Sequence, residues 1–144
     1  MTAIASAYLI LLRSNQVFLM KRQNTGYEDG NYGVIAGHVE PGETLTDAMI
    51  REAREEAGIE LSADDFAFSL LLHRYASSSD PPARLDVFFT VVSDKVFEPS
   101  NNEPIECAEI GWFPLDNLPE NCIAFIRYAI EQVRQGHHYA EYGW

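Results

Sequence analysis

Residues 37–59 read GHVEPGETLTDAMIREAREEAGI, and this stretch decides the fold expected for the whole chain. Its second part, from Thr44 to Ala57, consists mostly of good helix formers. Thr44 can cap the first turn, with Asp47 three residues later, and Gly58 stands where a left-handed residue ends a helix. The apolar positions recur at helical spacing, at Leu45, Ala48, Met49 and Ala53. The sequence therefore predicts a helix over residues 44–57 with one face packed on a core.

Three glutamates lie on another face of this helix. Glu52, Glu55 and Glu56 stand at positions i, i+3 and i+4, so their carboxylates cluster and repel one another. Alone, such a run is more often a solvated acidic surface. Here, however, a glycine-containing loop, residues 37–42, leads directly into the helix and brings backbone groups close to the same space. Hard oxygen ligands of this kind suit Mg²⁺ or Mn²⁺ far better than zinc.

The spacing of these residues resembles the Nudix box. Gly37 is followed by five residues, Glu43, seven residues and then REAREEAGI from Arg51 to Ile59. All nine fixed or class-restricted positions are filled over 23 residues, about a sixth of the chain. The resemblance implies an α/β fold, a Nudix-type α/β/α sandwich with a mixed β-sheet, formed by a single Nudix hydrolase domain over residues 1–144.

The resemblance also implies roles within the box. Glu52 and Glu56 resemble the principal metal ligands, with Glu55 as the third. The backbone carbonyl of Ala36 resembles a further metal ligand. The three glutamates are therefore the candidate catalytic residues. The residues expected to be structural in the motif are Gly37, Glu43, Arg51 and Gly58. In this set an arginine fork would hold a carboxylate and brace the loop against the helix.

The carboxylate that takes a proton from the attacking water is left open by the sequence. In the family it is either a glutamate of the helix or one from a later loop. We prefer Glu52, with Glu103 and Glu106 of the polar stretch before Trp112 as alternatives. Acidic residues in loops are usually exposed, so an ordinary surface role stays open for Glu103 and Glu106.

Substrate contacts are expected outside the box as well. Arg22 ends an apolar strand just before a glycine-containing loop, residues 24–31, and resembles a phosphate contact in related enzymes. An exposed arginine at a strand end is an equally good interpretation. Tyr27 in that loop could stack on a nucleobase, although most aromatic residues fill cores. Glu103 and Glu106 complete the set of candidate substrate-binding residues.

The rest of the chain alternates short apolar runs with turn residues, which predicts strands. The predicted strands are residues 4–12, 17–20, 32–36, 66–75, 85–92 and 110–113. A second helix is predicted from Pro119 to Gln135, stopped by Gly136. The aromatic tail, residues 139–144, is expected to dock on the body of the protein or on a second subunit, because large exposed apolar groups are costly.

The composition limits the partners and the compartment. Lys and Arg total 10 against 22 Asp and Glu, a formal net charge of -12 that argues against binding long nucleic acid or removing nucleic-acid caps. Cys107 and Cys122 show neither zinc-ligand nor disulfide spacing. The sequence has no signal-peptide pattern and no apolar run of membrane-spanning length. We therefore expect a cytoplasmic protein without a membrane partner, and leave a homodimer open.

These expectations combine into a function. The leading hypothesis is a Mg²⁺-dependent pyrophosphohydrolase that splits a nucleoside triphosphate into a monophosphate and pyrophosphate, with Mn²⁺ as the alternative cofactor. The alternative enzyme hydrolyses a nucleoside diphosphate linked to another group, such as ADP-ribose or a nucleotide sugar. A non-catalytic nucleotide sensor is the third hypothesis, and the intact Glu52, Glu55 and Glu56 count against it.

Overall fold

The computed structural model describes residues 2–144 of the chain. This part contains two helices and nine strands. In chain order they are β1 (Ile4–Ile10), β2 (Leu12–Arg13), β3 (Gln16–Arg22), β4 (Tyr32–Gly33), β5 (Ile35–His38), α1 (Leu45–Ala57), β6 (Phe66–Tyr75), β7 (Ala83–Val91), β8 (Cys107–Pro114), α2 (Ala124–Arg134) and β9 (Tyr139–Tyr142). A single 3₁₀ turn, Ala63–Asp65, precedes β6.

The strands pair into two sheets. The larger sheet has the order β5-β1-β7-β6-β9. Its pairs β1·β7 and β6·β9 are parallel and its pairs β1·β5 and β6·β7 are antiparallel, so the sheet is mixed, as predicted. In the smaller sheet β3 pairs with β2, β4 and β8, all antiparallel. Because Arg22 pairs with Cys107, the end of β3 lies beside the start of β8.

Each face of the larger sheet is covered by one helix. Side chains of a strand alternate between the two faces. Leu9 of β1 accordingly packs in the cluster that includes Met49 and Ala53 of α1. Phe88 of β7 packs in the other cluster with Ile126 of α2. Burying a side chain such as Met49 or Ile126 contributes roughly 1.5–3 kcal/mol. This helix–sheet–helix arrangement confirms the predicted α/β/α sandwich.

Local signals at both ends of α1 explain why the helix has these limits. The Thr44 hydroxyl accepts from the Asp47 amide at 3.0 Å, and the Asp47 carboxylate accepts from the Thr44 amide at 3.3 Å. This capping box satisfies amides that have no partner within the helix. Gly58 ends the helix at φ 67°, in the left-handed region that glycine adopts readily. The prediction for this helix is confirmed.

The predicted strand over residues 4–12 is wrong as one element. Ile10 pairs with Thr90 in the larger sheet, whereas Leu12 pairs with Val17 in the smaller one. The chain therefore changes sheets at Leu11, and a continuous apolar run cannot reveal such a change. The predicted strand over residues 32–36 likewise divides into β4 and β5.

The predicted start of the second helix at Pro119 is also wrong, since α2 begins at Ala124. The Tyr32 amide donates to the Asn121 carbonyl at 2.8 Å, and the Ile123 amide donates to the Tyr32 carbonyl at 2.9 Å. These bonds form a bridge between Cys122 and Tyr32 of β4, while the Cys122 amide donates to the Pro119 carbonyl at 3.0 Å in a turn. A pairing between residues about ninety positions apart overrides the local helical preference.

The aromatic tail docks on the body of the protein, as one of the two expectations for it stated. Strand β9 pairs in parallel with β6, which makes it an edge of the larger sheet. The Trp144 indole Nε1 donates to the His73 carbonyl at 2.9 Å.

Within residues 2–144, neither helix is long and apolar enough to cross a lipid bilayer.

Candidate active site

Glu56 points from α1 toward β5. The Ala36 amide donates to Glu56 Oε1 at 2.9 Å. Burial raises the pKa of the Glu56 carboxyl to about 8; Glu52 and Glu103 add to this rise, while the Ala36 amide and Arg22 oppose it. The Glu56 carboxylate is therefore short of positive charge, which a bound cation would supply. The sequence predicts Ala36 as a metal ligand through its backbone carbonyl. Its observed contact with Glu56 is made by the backbone amide.

Glu52 lies directly over Gly37, the first residue of the box. A Cβ at position 37 would fall well inside van der Waals contact with the carboxylate of Glu52. The backbone of Gly37 is not in the left-handed region, so its need for glycine comes from this close approach. Burial raises the pKa of the Glu52 carboxyl, against the opposing effect of the Arg51 guanidinium.

Arg51 connects the loop before α1 with the carboxylates on it. Its Nε and Nη2 donate to the two oxygens of Glu43 at 2.7 and 3.0 Å, and Nη2 also donates to the His38 carbonyl at 3.1 Å. Nη1 donates to Glu52 Oε1 at 2.6 Å and to Glu55 Oε2 at 3.3 Å. The hydrogen bonds from Arg51 hold the pKa of the Glu43 carboxyl at about 2. Arg51 thus braces the loop and also orients Glu52, a contact that sequence reasoning missed.

A narrow cleft beside α1 brings together several residues singled out in the sequence. Arg22, Glu56, Glu103 and Glu106 all line it. Burial raises the pKa of the Glu103 carboxyl, and Glu106 adds to this rise. Cys107 also lines the cleft, where burial raises the pKa of its thiol and keeps it protonated. The position of Cys107 could not be predicted from the sequence, because only its pairing with Arg22 in the sheet places it there.

Tyr27 and Arg22 are in contact with each other. Arg22 Nε donates to the Tyr27 carbonyl at 2.8 Å, and the guanidinium carbon lies 5.5 Å from the centre of the Tyr27 ring. Arg22 also acts electrostatically on Glu56, so its charge is close to the cleft. Tyr27 is 42% exposed, so part of this aromatic residue is accessible from solvent. Among residues 2–144, Tyr27 is not one of the residues that line the cleft.

The donor set fits a hard divalent cation by its chemistry. Within residues 2–144, no three His, Cys, Asp or Glu side chains already converge on one point as a metal site. Arg51 engages Glu52 and Glu55, and the Ala36 amide engages Glu56. Nevertheless the available donors are carboxylate and carbonyl oxygens, which Mg²⁺ and Mn²⁺ prefer. Burial favours the neutral form of the Glu56 carboxyl, and a divalent cation beside it would favour the ionised form.

Comparison with known proteins agrees with the resemblance. A model of the NUDIX domain family matches residues 2–133. The NAD-capped RNA hydrolase NudC of Chromobacterium violaceum is 31% identical over 137 residues, which cover 91% of this chain and 48% of that protein. NudC of Shigella dysenteriae is 31% identical over 116 residues, covering 81% of this chain and 41% of that one. The chain thus spans less than half the length of these curated relatives.

Solved structures show the same fold. A MutT NUDIX hydrolase from Burkholderia pseudomallei superposes with a TM-score of 0.80 at 26% identity, covering 92% of this chain and 99% of that one. The NUDIX domain of Shewanella oneidensis NrtR, solved with ADP ribose, has a TM-score of 0.73 at 16% identity, covering 94% and 88%. The second likeness is evidence for the fold alone. Because the family model covers nearly the whole chain and Glu56 of the box lines the cleft with Arg22 and Glu103, the chain belongs to the Nudix hydrolase family.

Proposed function

We propose that this protein hydrolyses the pyrophosphate linkage of a nucleoside diphosphate joined to a second group, such as a dinucleotide of the NAD type or ADP-ribose. The observation that carries the proposal is the gathering of Glu56, Glu103 and Arg22 along one cleft beside the Glu52 carboxylate. Such a cleft offers oxygen donors for a cation and a positive charge for a phosphate. The names of the relatives, NAD-capped RNA hydrolases, favour the diphosphate-linked class.

This substrate class was the alternative in the sequence analysis, which preferred a nucleoside triphosphate. The box contacts the diphosphate in both classes, so the choice depends on what lies beyond it. Relatives named for a dinucleotide cap therefore reverse the order of the two hypotheses.

The cytoplasmic location and the homodimer stay predictions.

Glu52, Glu55 and Glu56, with the Ala36 carbonyl, are the residues that would hold Mg²⁺, and Mn²⁺ could replace it. A bound cation of this kind neutralises phosphate oxygens and lowers the pKa of a water molecule. The role of Arg51 is to hold Glu52 in place through the bond at 2.6 Å, while its fork on Glu43 fixes the loop. Arg22, which lines the cleft, is a cation that acts electrostatically on Glu56.

The general base is chosen between Glu52 and Glu103. Glu52 was preferred from the sequence, but its Oε1 already accepts a short hydrogen bond from Arg51 at 2.6 Å, so this oxygen is not free to accept a proton from water. Among residues 2–144, no donor bonds to the carboxylate of Glu103, and its side chain lines the cleft. We therefore propose Glu103 as the residue that accepts the proton from water, with Glu52 retained as a candidate metal ligand.

Arg22 and Tyr27 would bind the substrate on the other side of the cleft. The Arg22 guanidinium is a donor for phosphate oxygens next to Glu56. The exposed ring of Tyr27 is a surface for stacking a base, and Asp29 orders its loop by accepting from the Thr25 and Gly26 amides at 3.1 and 2.8 Å. A hydrogen bond joins Arg22 to Tyr27, so a movement of the residue that contacts the phosphate would also move the residue that contacts the base.

A substrate panel tests the proposal. Purified protein with Mg²⁺ is incubated with NAD, ADP-ribose, a nucleotide sugar, a short NAD-capped RNA and canonical and oxidised nucleoside triphosphates, and the phosphate products are resolved by chromatography. We expect nucleoside monophosphate from the diphosphate-linked compounds, at rates well above those for triphosphates. Faster turnover of triphosphates would contradict the proposed substrate class. Turnover of no compound, with cation bound, would support a non-catalytic sensor instead.

A further inference from the structure

The loop of residues 98–106 is fastened to the C-terminal end of α1. The Ser100 amide donates to the Ala57 carbonyl at 2.8 Å, and the Asn102 amide donates to the Glu56 carbonyl at 3.2 Å. Asn102 Nδ2 also donates to the Arg54 carbonyl at 3.3 Å. The last carbonyls of a helix lack partners within it, so these bonds complete the C-terminal end of α1. They also hold the loop against the helix that carries the carboxylates.

Gly58 is the point where this loop meets the helix. A Cβ at position 58 would lie 2.9 Å from Asn102 Nδ2 and 3.0 Å from Ser100 Oγ. The left-handed backbone of Gly58 already favours glycine. The close approach of Asn102 and Ser100 is a second and independent demand for it. The last glycine of the box therefore makes room for a loop that lies more than forty residues further along the chain.

The other side of the same loop is fastened to the segment that follows β3. Gln23 Nε2 donates to the Pro104 carbonyl at 2.8 Å, and Asn24 Nδ2 donates to the Ile105 carbonyl at 2.9 Å. The Gln23 amide donates to the Glu106 carbonyl at 3.0 Å. Residues 103–106 are thus held between α1 on one side and the segment leading to Tyr27 on the other.

We propose that Asn102 is a positioning residue that sets Glu103 in the cleft in front of Glu56. Asn102 is adjacent to Glu103 in the chain. Its side-chain Nδ2 donates to the Arg54 carbonyl, its backbone amide donates to the Glu56 carbonyl, and its Oδ1 accepts from Ser100 Oγ at 2.9 Å. These bonds fix the position of the backbone next to Glu103 relative to the helix turn that carries Glu56. Only the catalytic readout of this inference rests on the proposed function, because the fastening itself is observable without substrate.

The variant Asn102→Asp tests the inference, because it keeps the shape of the side chain and removes the Nδ2 donor. Its matched control is Asn117→Asp, at an exposed asparagine whose side chain makes no hydrogen bond within residues 2–144. We expect hydrogen exchange at the Glu106 and Cys107 amides, which bond to the Glu103 carbonyl, to rise about five- to tenfold in Asn102→Asp. The control should leave it unchanged. Unchanged exchange in Asn102→Asp would overturn the inference, whatever the activity of the protein.

The catalytic readout uses the Glu103→Gln background. In the otherwise unchanged protein, Asn102→Asp should lower kcat about 10-fold or more with little change in KM, because a supporting residue is lost and substrate contacts are kept. In the Glu103→Gln background it should lower kcat no further, since Asn102 acts through Glu103. An equal loss in both backgrounds would show that Asn102 supports the fold generally, and would overturn the inference. If no substrate is turned over, the proposed function fails while the exchange measurement still decides the role of Asn102.

Discussion

At the scale of single residues, Gly37 and Glu52 show how closely the members of the box constrain one another. The carboxylate of Glu52 occupies the space where a side chain at position 37 would be. Its Oε1 is held from the other side by Arg51 at 2.6 Å. The glycine, the arginine and the glutamate therefore form one unit, in which the glycine is needed for space and not for its backbone conformation.

Replacing Gly37 with alanine is predicted to damage the site and spare the fold. Alanine tolerates this backbone, and the atoms in its way belong to the movable end of the Glu52 side chain. We expect stability within about 0.5 kcal/mol of the parent protein but Mn²⁺ affinity, measured by electron paramagnetic resonance, about 10- to 100-fold weaker. In a Glu52→Gln background the substitution should have no further effect on affinity. Unchanged Mn²⁺ binding in Gly37→Ala would contradict the assignment of Glu52 as a ligand.

Asp65 is predicted to make stability depend on pH in the acid range. The Ser62 amide at 2.8 Å and the Lys95 ammonium at 3.0 Å hold the pKa of the Asp65 carboxyl at about 2, below its ordinary value of 3.8. Since the folded pKa is the lower one, the stabilisation is complete above pH 3.8 and is lost as the pH falls through about 2. Urea unfolding should show Asp65→Asn to be less stable than the parent at pH 7, with the difference shrinking from pH 4 to pH 2. A difference that is constant over this range would refute the prediction.

The residues of the box could be predicted because helical spacing alone places Glu52, Glu55 and Glu56 on one face. The link between Arg51 and Glu52 could not, since adjacent helical side chains point in different directions and only the long arginine reaches back. Nor could the sequence separate Glu103 from Glu106, because loop residues have no periodicity from which a direction follows. Both line the cleft, and Glu103 is the one that acts electrostatically on Glu56.

At the scale of elements, the two helices show when local signals suffice. The limits of α1 follow from residues inside it or next to it, namely the Thr44 and Asp47 box and Gly58. The start of α2 depends on Tyr32, which draws Asn121 and Ile123 into an extended pairing. A sequence pattern contains the first kind of information and lacks the second. The division of residues 4–12 between two sheets has the same cause.

Gly58→Ala is predicted to cost more stability than a matched change at Gly136. Both glycines follow a helix with a left-handed backbone, at φ 67° and φ 79°. Alanine should cost about 1–2 kcal/mol at each position for the backbone alone. At position 58 it would also crowd Asn102 and Ser100, whereas nothing lies within 4 Å of a Cβ at position 136. Urea unfolding should therefore show the larger loss of stability for Gly58→Ala. Equal losses of stability would argue against the packing of the loop of residues 98–106 against Gly58.

At the scale of the whole molecule, the fold places the cleft between strands of the smaller sheet and α1. Pairing of β3 with β8 brings Arg22 beside Cys107, and the stacking of α1 on β5 brings Glu56 to Ala36. The sandwich itself could be expected from the box, because a motif of this length identifies a family and the family implies its architecture. The order of strands in the larger sheet could not, since β1 and β7 are neighbours separated by more than seventy residues.

The net charge of -12 bears on the molecule as a whole and not on the cleft alone. It counts against long nucleic acid as a ligand, whereas the relatives are named for hydrolysis of NAD-capped RNA. These relatives are more than twice as long as the part matched here, so charge elsewhere in them can differ. For this chain the charge supports a small dinucleotide over an RNA that carries one.

In the proposed function, carboxylates of α1 hold the cation with which a diphosphate-linked nucleotide is cut. The most direct test compares the parent protein, Glu56→Gln and the exposed control Glu60→Gln for hydrolysis of NAD and ADP-ribose, each with Mg²⁺ and with a chelator. We predict turnover that requires Mg²⁺, a loss of kcat/KM of at least about 100-fold in Glu56→Gln, and no loss in Glu60→Gln. Undiminished hydrolysis by Glu56→Gln, or equal hydrolysis in the presence of the chelator, would contradict the claim.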